Sequence, residues 1–459
     1  MPKPLLILQM QRMGDLILSF PLILDLLQKY PTHPIWVVAE KIFFESLTHL
    51  APPVTFFSPD VLSQISTEQY LLAINLSFRQ EACAALGKIK AEEKFGPYIH
   101  KNNLYVQGFW HLYRHSLTQN NRHNTFHWAD LARLDLYPNL LDYGPRVTSV
   151  RRTVHKRIAL VLGASSPFKH PNAAFWIALA NKLIQAGFMP FLIGGKQEAT
   201  LGATVAKAIQ IEKLNLCGQL PLPALVTLLK TVDLCITPDT GPMHLANWLG
   251  IPILNLSMGP VRAYETGPYA PNQTVVLPHR SCAGCWQCQY RHFACKNNFH
   301  PTTIAKIALD IIHREELQPQ VKLKLAKTTL DDLGLATLNF LTKNPNAEQR
   351  LDAVWRNFFL ALICQDRLKV AKLEMQQVAQ NYPKLYAQIH AELKKVLSQA
   401  LLNLKKPNQY LAISYKQTSP AIRLFTGFLE MYAQNNNFTR EALEKICSWL
   451  AMSLDLLTV

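Results

Sequence analysis

The residues able to do chemistry in this 459-residue chain sit in short loops, each between an apolar run and an amphipathic one. The first is Gln11-Arg12-Met13-Gly14-Asp15, after the apolar run 5–9 and before the apolar run 16–27. It reads as a strand-to-helix loop. Ligands of parallel sheets gather where strands end. Gly14 permits a tight turn there, and the Asp15 carboxylate could take a proton from an attacking hydroxyl. The same carboxylate would serve equally well as a helix cap. The second loop is Gly163-Ala164-Ser165-Ser166-Pro167-Phe168-Lys169-His170. Small residues before a helix leave backbone N–H groups open to an anion. Ser165 and Ser166 add hydroxyl donors, and Lys169 adds a charge that neutralises phosphate. The plainer reading is a solvent-facing loop with an ordinary lysine.

The third element is Thr237-Pro238-Asp239-Thr240-Gly241-Pro242-Met243-His244. Asp239 or Thr240 caps a helix whose first turn opens with Gly241-Pro242. The positive end of that helix suits a diphosphate. His244 lies one turn inside, within reach of a phosphate or of Asp239. Glu198, after Gly194-Gly195, is placed either to hold ribose hydroxyls or simply to favour a helix N-terminus. Cys282, Cys285, Cys288 and Cys295 follow the spacing Cys-x2-Cys-x2-Cys-x6-Cys. They would hold a structural zinc or iron–sulfur centre, or remain uncomplexed thiols. The other five of the nine cysteines are scattered among apolar residues. They read as small buried hydrophobes, which suits a reducing compartment.

The positioning elements follow from the alternation of strand and helix patterns, which predicts mostly parallel sheets covered on both faces. Strands are expected at 5–9, 35–39, 54–57 and 71–76, then at 157–162, 188–193, 234–237 and 253–256. Helices are expected at 173–186, 222–230 and 241–249. Residues 96–134, rich in His, Asn, Tyr and Trp, read as an irregular acceptor-side loop with a short helix. Residues 140–157 read as a linker. Helical patterns continue at 321–341, 345–365, 367–381, 384–402, 419–434 and 439–457, punctuated by Asn-Pro, Tyr-Pro and Lys-Pro. Three domains result: an α/β domain at 1–150, a second α/β domain at 151–310, and a helical extension at 311–459.

Hydrophobic residues make up 49% of the chain and charged residues 17%, enough to build cores and too little charge for a disordered chain. The net charge of +16 favours anionic partners such as phosphorylated glycans or a lipid surface. No aromatic-basic recognition motif supports nucleic acid as a partner. No Gly-x-Gly-x-x-Gly or triphosphatase loop supports a dehydrogenase or a triphosphatase. The run 16–27 is broken by Ser19, Pro21 and Asp25 and is short of the roughly 20 residues that cross a bilayer. The start of the chain lacks a signal-peptide pattern. A cytoplasmic protein is expected, with peripheral contact to an anionic inner membrane left open.

Taken together, these motifs resemble the ADP-heptose:lipopolysaccharide heptosyltransferase family, glycosyltransferase family 9, over roughly residues 5–310. The resemblance is carried by Gln11 to Asp15, by the loop 163–169 with Trp176 after it, and by Asp239-Thr240-Gly241-Pro242-Met243-His244-Leu245-Ala246 followed by Leu249-Gly250-Ile251-Pro252. It implies a GT-B type α/β fold, two Rossmann-like domains facing a cleft, the first (1–150) on the acceptor side and the second (151–310) binding the nucleotide sugar, here with a C-terminal all-helical extension that typical members lack. It also implies Asp15 as general base, with Lys169 beside it in catalysis. The donor would meet Gly14, Ser165, Ser166, Lys169, Glu198, Asp239, Thr240, Gly241, Pro242, Met243 and His244. The implied reaction is inverting and metal-independent, moving heptose from ADP-heptose to a lipopolysaccharide-type or other acidic glycan in a bacterium. His170-Pro171 stands where members usually carry Trp-Pro, and the extension points towards an acceptor such as a capsule glycan or a protein. The alternative is a catalytically inactive nucleotide-sugar-binding scaffold or protein-interaction module.

Overall fold

The computed structural model describes residues 2–137, 155–260, 262–280, 282, 288, 293–342, 344–364, 366–405 and 415–458. The expected linker at 140–157 lies almost wholly outside them. In the first domain, β1 (Leu5–Leu8), β2 (Ile35–Val38), β3 (Thr55–Phe57), β4 (Gln69–Asn75), β5 (Lys90–His100) and β6 (Asn103–Gln107) form one sheet in the order β3-β2-β1-β4-β5-β6. All pairs are parallel except β5–β6. Every residue of β1 is buried, as a central parallel strand covered on both faces requires. The helices are α1 (Met13–Leu18), α2 (Phe20–Lys29), α3 (Lys41–Leu47), α4 (Leu62–Ile65), α5 (Gln80–Lys88), α6 (Phe109–Ser116) and α7 (Trp128–Leu134).

The second domain holds β7 (Arg157–Val161), α8 (Ala173–Gln185), β8 (Met189–Ile193), α9 (Ala199–Ile209), α10 (Leu222–Leu229), β9 (Leu234–Thr237), α11 (Gly241–Trp248), β10 (Ile253–Leu256), α12 (Ala263–Thr266), β11 (Thr274–Pro278), α13 (Pro301–His313), β12 (Leu323–Leu330) and β13 (Ala336–Phe340). Its strand order is β13-β12-β11-β10-β9-β7-β8, with β12 and β13 antiparallel. Each sheet reverses its strand order once beside its first strand, between β1 and β4 and between β7 and β9. Crevices form at such reversals. The loops after β1, β7 and β9 are the three chemistry-bearing loops.

Two expectations are corrected. Residues 96–134 are not an irregular loop: they form the end of β5, β6, α6 and α7. Residues 321–341 are not helical: they form the hairpin β12–β13. Leu323 and Leu325 are buried on one face, the period-two pattern of a strand. The turn is fixed by Gly334, at φ 76°, and by the Asp331 carboxylate, which accepts from the Leu333 and Leu335 N–H groups at 3.0 and 2.9 Å.

The C-terminal helices α14 (Ala347–Ala361), α15 (Arg367–Asn381), α16 (Pro383–Lys405), α17 (Arg423–Asn435) and α18 (Arg440–Asp455) do not trail from the second domain. Trp355, Phe359 and Phe428 share a buried core with Trp110 and Tyr113 of α6. The Arg356 guanidinium donates to Asp331 of the hairpin at 2.8 Å and to the Thr125 carbonyl at 2.7 Å. A second core, beneath the cleft, continues from Leu16 and Phe20 to Met243 and Leu245. The two α/β domains are therefore joined by packed apolar residues and braced from the side by the helices. Among the described residues no helix is long and apolar enough to cross a membrane.

Candidate active site

The N-termini of α1 and α11, one from each domain, meet head to head, and their glycines allow it. A Cβ on Gly14 would stand 2.7 Å from His244 Cδ2, and one on Gly241 would stand 2.7 Å from Met13 Cε. The two clashes are unequal. His244 is buried and cannot retreat, whereas the end of a methionine can swing aside. Gly14→Ala is expected to cost about 1–3 kcal/mol of stability and Gly241→Ala clearly less. Urea midpoints of the two variants check this, and equal midpoints would contradict it.

Around this contact lies a cleft of about 790 Å³, lined from the first domain by Arg12, Gly14, Asp15, Arg114 and Trp128, and from the second by Ser165, Lys169, Asp239, Thr240, Gly241, His244 and Glu265. Asp15 occupies the first turn of α1, and its carboxylate accepts from the Arg12 N–H at 3.2 Å. The capping contact and the cleft position thus belong to one residue. Burial raises the Asp15 carboxyl above its ordinary value, against the pull of Arg114. Opposite it, Lys169 Nζ lies 3.2 Å from Asp239 Oδ2, and Asp239 Oδ1 is 4.0 Å from His244 Nε2. Burial lowers His244 to about 4, so the ring is neutral near neutral pH and acts as a hydrogen-bonding group. Thr240 takes the N-cap position of α11 without a side-chain capping bond.

The cleft therefore gathers Gly14, Asp15, Ser165, Lys169, Asp239, Thr240, Gly241 and His244 from the expected set. Four members lie elsewhere. Ser166 caps the turn Pro167–Lys169 by accepting from the Phe168 N–H at 3.3 Å. Glu198 accepts from the Gly195 N–H at 2.8 Å and packs against Gly163. Pro242 opens α11, and Met243 is fully buried, its sulfur 3.0 Å from Asn255 Nδ2. Of the four cysteines, Cys285 lies outside the described residues. Among the described residues no three His, Cys, Asp or Glu side chains are grouped to hold a metal.

Sequence reasoning missed two charged residues of the cleft wall. Arg114 is buried, with its guanidinium 4.7 Å from the Trp128 ring and 5.4 Å from the Phe78 ring. Burial lowers it to about 10, so it stays charged near neutral pH. Glu265 is also buried and accepts from Asn121 at 2.8 Å and from Asn124 at 3.1 Å. Burial pushes its carboxyl from 4.5 up to about 7, although the two amides favour the charged form. Between those two values the folded protein holds a proton that the unfolded chain has released, so this group's stabilising contribution falls as pH rises. His244 acts in the opposite sense, so only a difference isolates Glu265. Wild type should lose about 3 kcal/mol relative to Glu265→Gln as pH climbs from about 4.5 to about 7. Denaturation curves across that range would show it. A constant difference would refute it.

Two doubly wound sheets in tandem, whose loops at both reversals of strand order line one cleft, define a GT-B-like fold. Two solved structures share it: a family 9 glycosyl transferase from Veillonella parvula (TM-score 0.55, 18% identity, covering 68% of this chain and 98% of that one) and the ADP-heptose lps heptosyltransferase II of E. coli (0.53, 17%, 68% and 100%). Residues 115–293 match the profile of glycosyltransferase family 9 (heptosyltransferase). Lipooligosaccharide heptosyltransferase 2 of Campylobacter jejuni is 25% identical over 176 residues, 37% of this chain and 54% of that protein. Lipopolysaccharide heptosyltransferase 1 of Pseudomonas aeruginosa is 29% identical over 130 residues, 27% and 35%. The chain thus spans about half the length of the first relative and about a third of the second.

Proposed function

We propose that this protein is an inverting glycosyltransferase that moves a sugar, heptose from ADP-heptose, onto a hydroxyl of a lipopolysaccharide-type or other acidic glycan. The observation that carries the reading is the facing of Asp15 from one domain with Lys169 and the tip of α11 from the other, across one cleft. The acceptor hydroxyl gives its proton to Asp15 and its oxygen attacks the sugar carbon bearing the diphosphate. The bond from that carbon to the phosphate oxygen breaks in the same step. Lys169 and the N-terminus of α11 stabilise the charge gathering on the departing diphosphate. These groups supply positive charge without a metal, and the proposed transfer needs none. The raised basicity of Asp15 suits it to proton removal.

The names of the matched relatives, both heptosyltransferases, support heptose as the sugar. The net charge of +16 supports an acidic acceptor and work at the inner face of an anionic membrane. Incubation with a panel of nucleotide sugars, read by product mass, tests the reading. Transfer, or slow hydrolysis of one donor, is expected. Binding of a donor with neither outcome would instead make the protein a nucleotide-sugar-binding scaffold.

A further inference from the structure

Glu265 stands in the cleft wall, and no step of the transfer described above employs it. It is 3% exposed and sits on α12 of the second domain. Its Oε2 and Oε1 accept from the side-chain amides of Asn121 and Asn124, both in the segment between α6 and α7 of the first domain. Two donors fix the plane of the carboxyl, yet each oxygen keeps a further lone pair. No cation lies within ion-pair distance of it among the described residues. Neutral amides only partly offset the cost of burying a carboxyl.

Glu265 lines the same cleft as Asp15 and Arg114 of the first domain and Lys169 and Asp239 of the second. Asp239, at the tip of α11, acts on Glu265, and Glu265 in turn acts on Arg114, which also interacts with Asp15. Glu265 therefore shares one cleft with the residues that would hold a diphosphate and with those that would activate a hydroxyl. A sugar whose diphosphate rests against Lys169 and whose reacting carbon faces Asp15 would occupy that cleft.

We propose that Glu265 reads the transferred sugar, binding one or two of its hydroxyls through the lone pairs that Asn121 and Asn124 leave open. This rests on the nucleotide-sugar reading above. Sites built to hydrogen-bond a substrate hydroxyl discriminate strongly, because a sugar lacking it leaves a buried polar group unpaired. Titration calorimetry on the full chain tests the proposal with ADP, ADP-heptose and ADP-glucose as probes. Glu265→Gln and Glu265→Ala should keep ADP affinity within about twofold of wild type, since the base and diphosphate lie elsewhere. Both should lose about tenfold or more of the affinity that the preferred sugar adds to ADP. The preference between the two sugars should narrow accordingly. Retained ADP affinity certifies that a variant is folded. An unchanged sugar preference would overturn the proposal. So would loss of ADP binding in both variants, because Glu265 would then be a structural member. A wild-type chain that binds none of the three probes would remove the nucleotide-sugar reading itself, a result distinct from either.

Discussion

Replacement of Asp15 by asparagine is expected to lower turnover by about a hundredfold or more while ADP affinity stays within about twofold, the usual scale of a general base. The substitution is close to isosteric. An asparagine oxygen can still accept the Arg12 N–H that holds Asp15 at 3.2 Å, so the first turn of α1 should survive. What is lost is the capacity to take a proton from the acceptor. The pH profile adds a second signature. Burial raises the Asp15 carboxyl above the ordinary 3.8, so wild-type turnover should rise with pH through a value above that one, as the base loses its proton. The variant should lack this limb. Near-normal turnover, or an acid limb that persists in the variant, would assign the base to another residue.

The parts of this site that could be read from sequence are those that follow strands. Gly14-Asp15, Lys169 and Asp239 to His244 each sit in a loop after a continuous apolar run. A parallel sheet delivers such loops to one edge whatever the rest of the chain does. Arg114 and Glu265 carry no comparable mark. Arg114 lies on α6, and it enters the cleft only because Phe78 and Trp128 hold its guanidinium from elsewhere in the chain. Glu265 sits on a one-turn helix with no distinguishing spacing. A signal was nevertheless present. Asn121, Asn124, His127, Asp130 and Arg133 recur at every third position, and all five are buried. Asn121 and Asn124 reach Glu265, the His127 ring meets the Gly267 carbonyl at 3.0 Å, and Tyr269 bonds to both Asp130 and Arg133. This row binds the first domain to the second along the cleft wall. Hydrophobic periodicity cannot reveal a buried face built from polar groups, and the same composition reads as a surface loop. The hairpin β12–β13 was hidden for the reverse reason. Its leucines also fit a helical spacing, and only Gly334 marked the turn.

Replacement of Lys169 by alanine is expected to lower turnover by about a hundredfold to a thousandfold, the scale for removing one group that stabilises developing negative charge. Donor affinity should fall as well, for a reason that lies in Asp239. That carboxylate lies 3.2 Å from Lys169 Nζ and is mostly buried. Without the ammonium it would present bare negative charge at the tip of α11, the proposed seat of the diphosphate. Electrostatics and loss of contact would then act together in the single variant. The double variant Lys169→Ala with Asp239→Asn separates them. Removing the uncompensated carboxylate should restore much of the donor affinity, because repulsion is relieved, yet turnover should stay low, because nothing replaces the cation facing the leaving group. The two substitutions are therefore expected to be non-additive in binding, as directly paired groups usually are. Full recovery of turnover in the double variant would mean that Lys169 only neutralises Asp239, and that the departing charge is met by the α11 N-terminus alone.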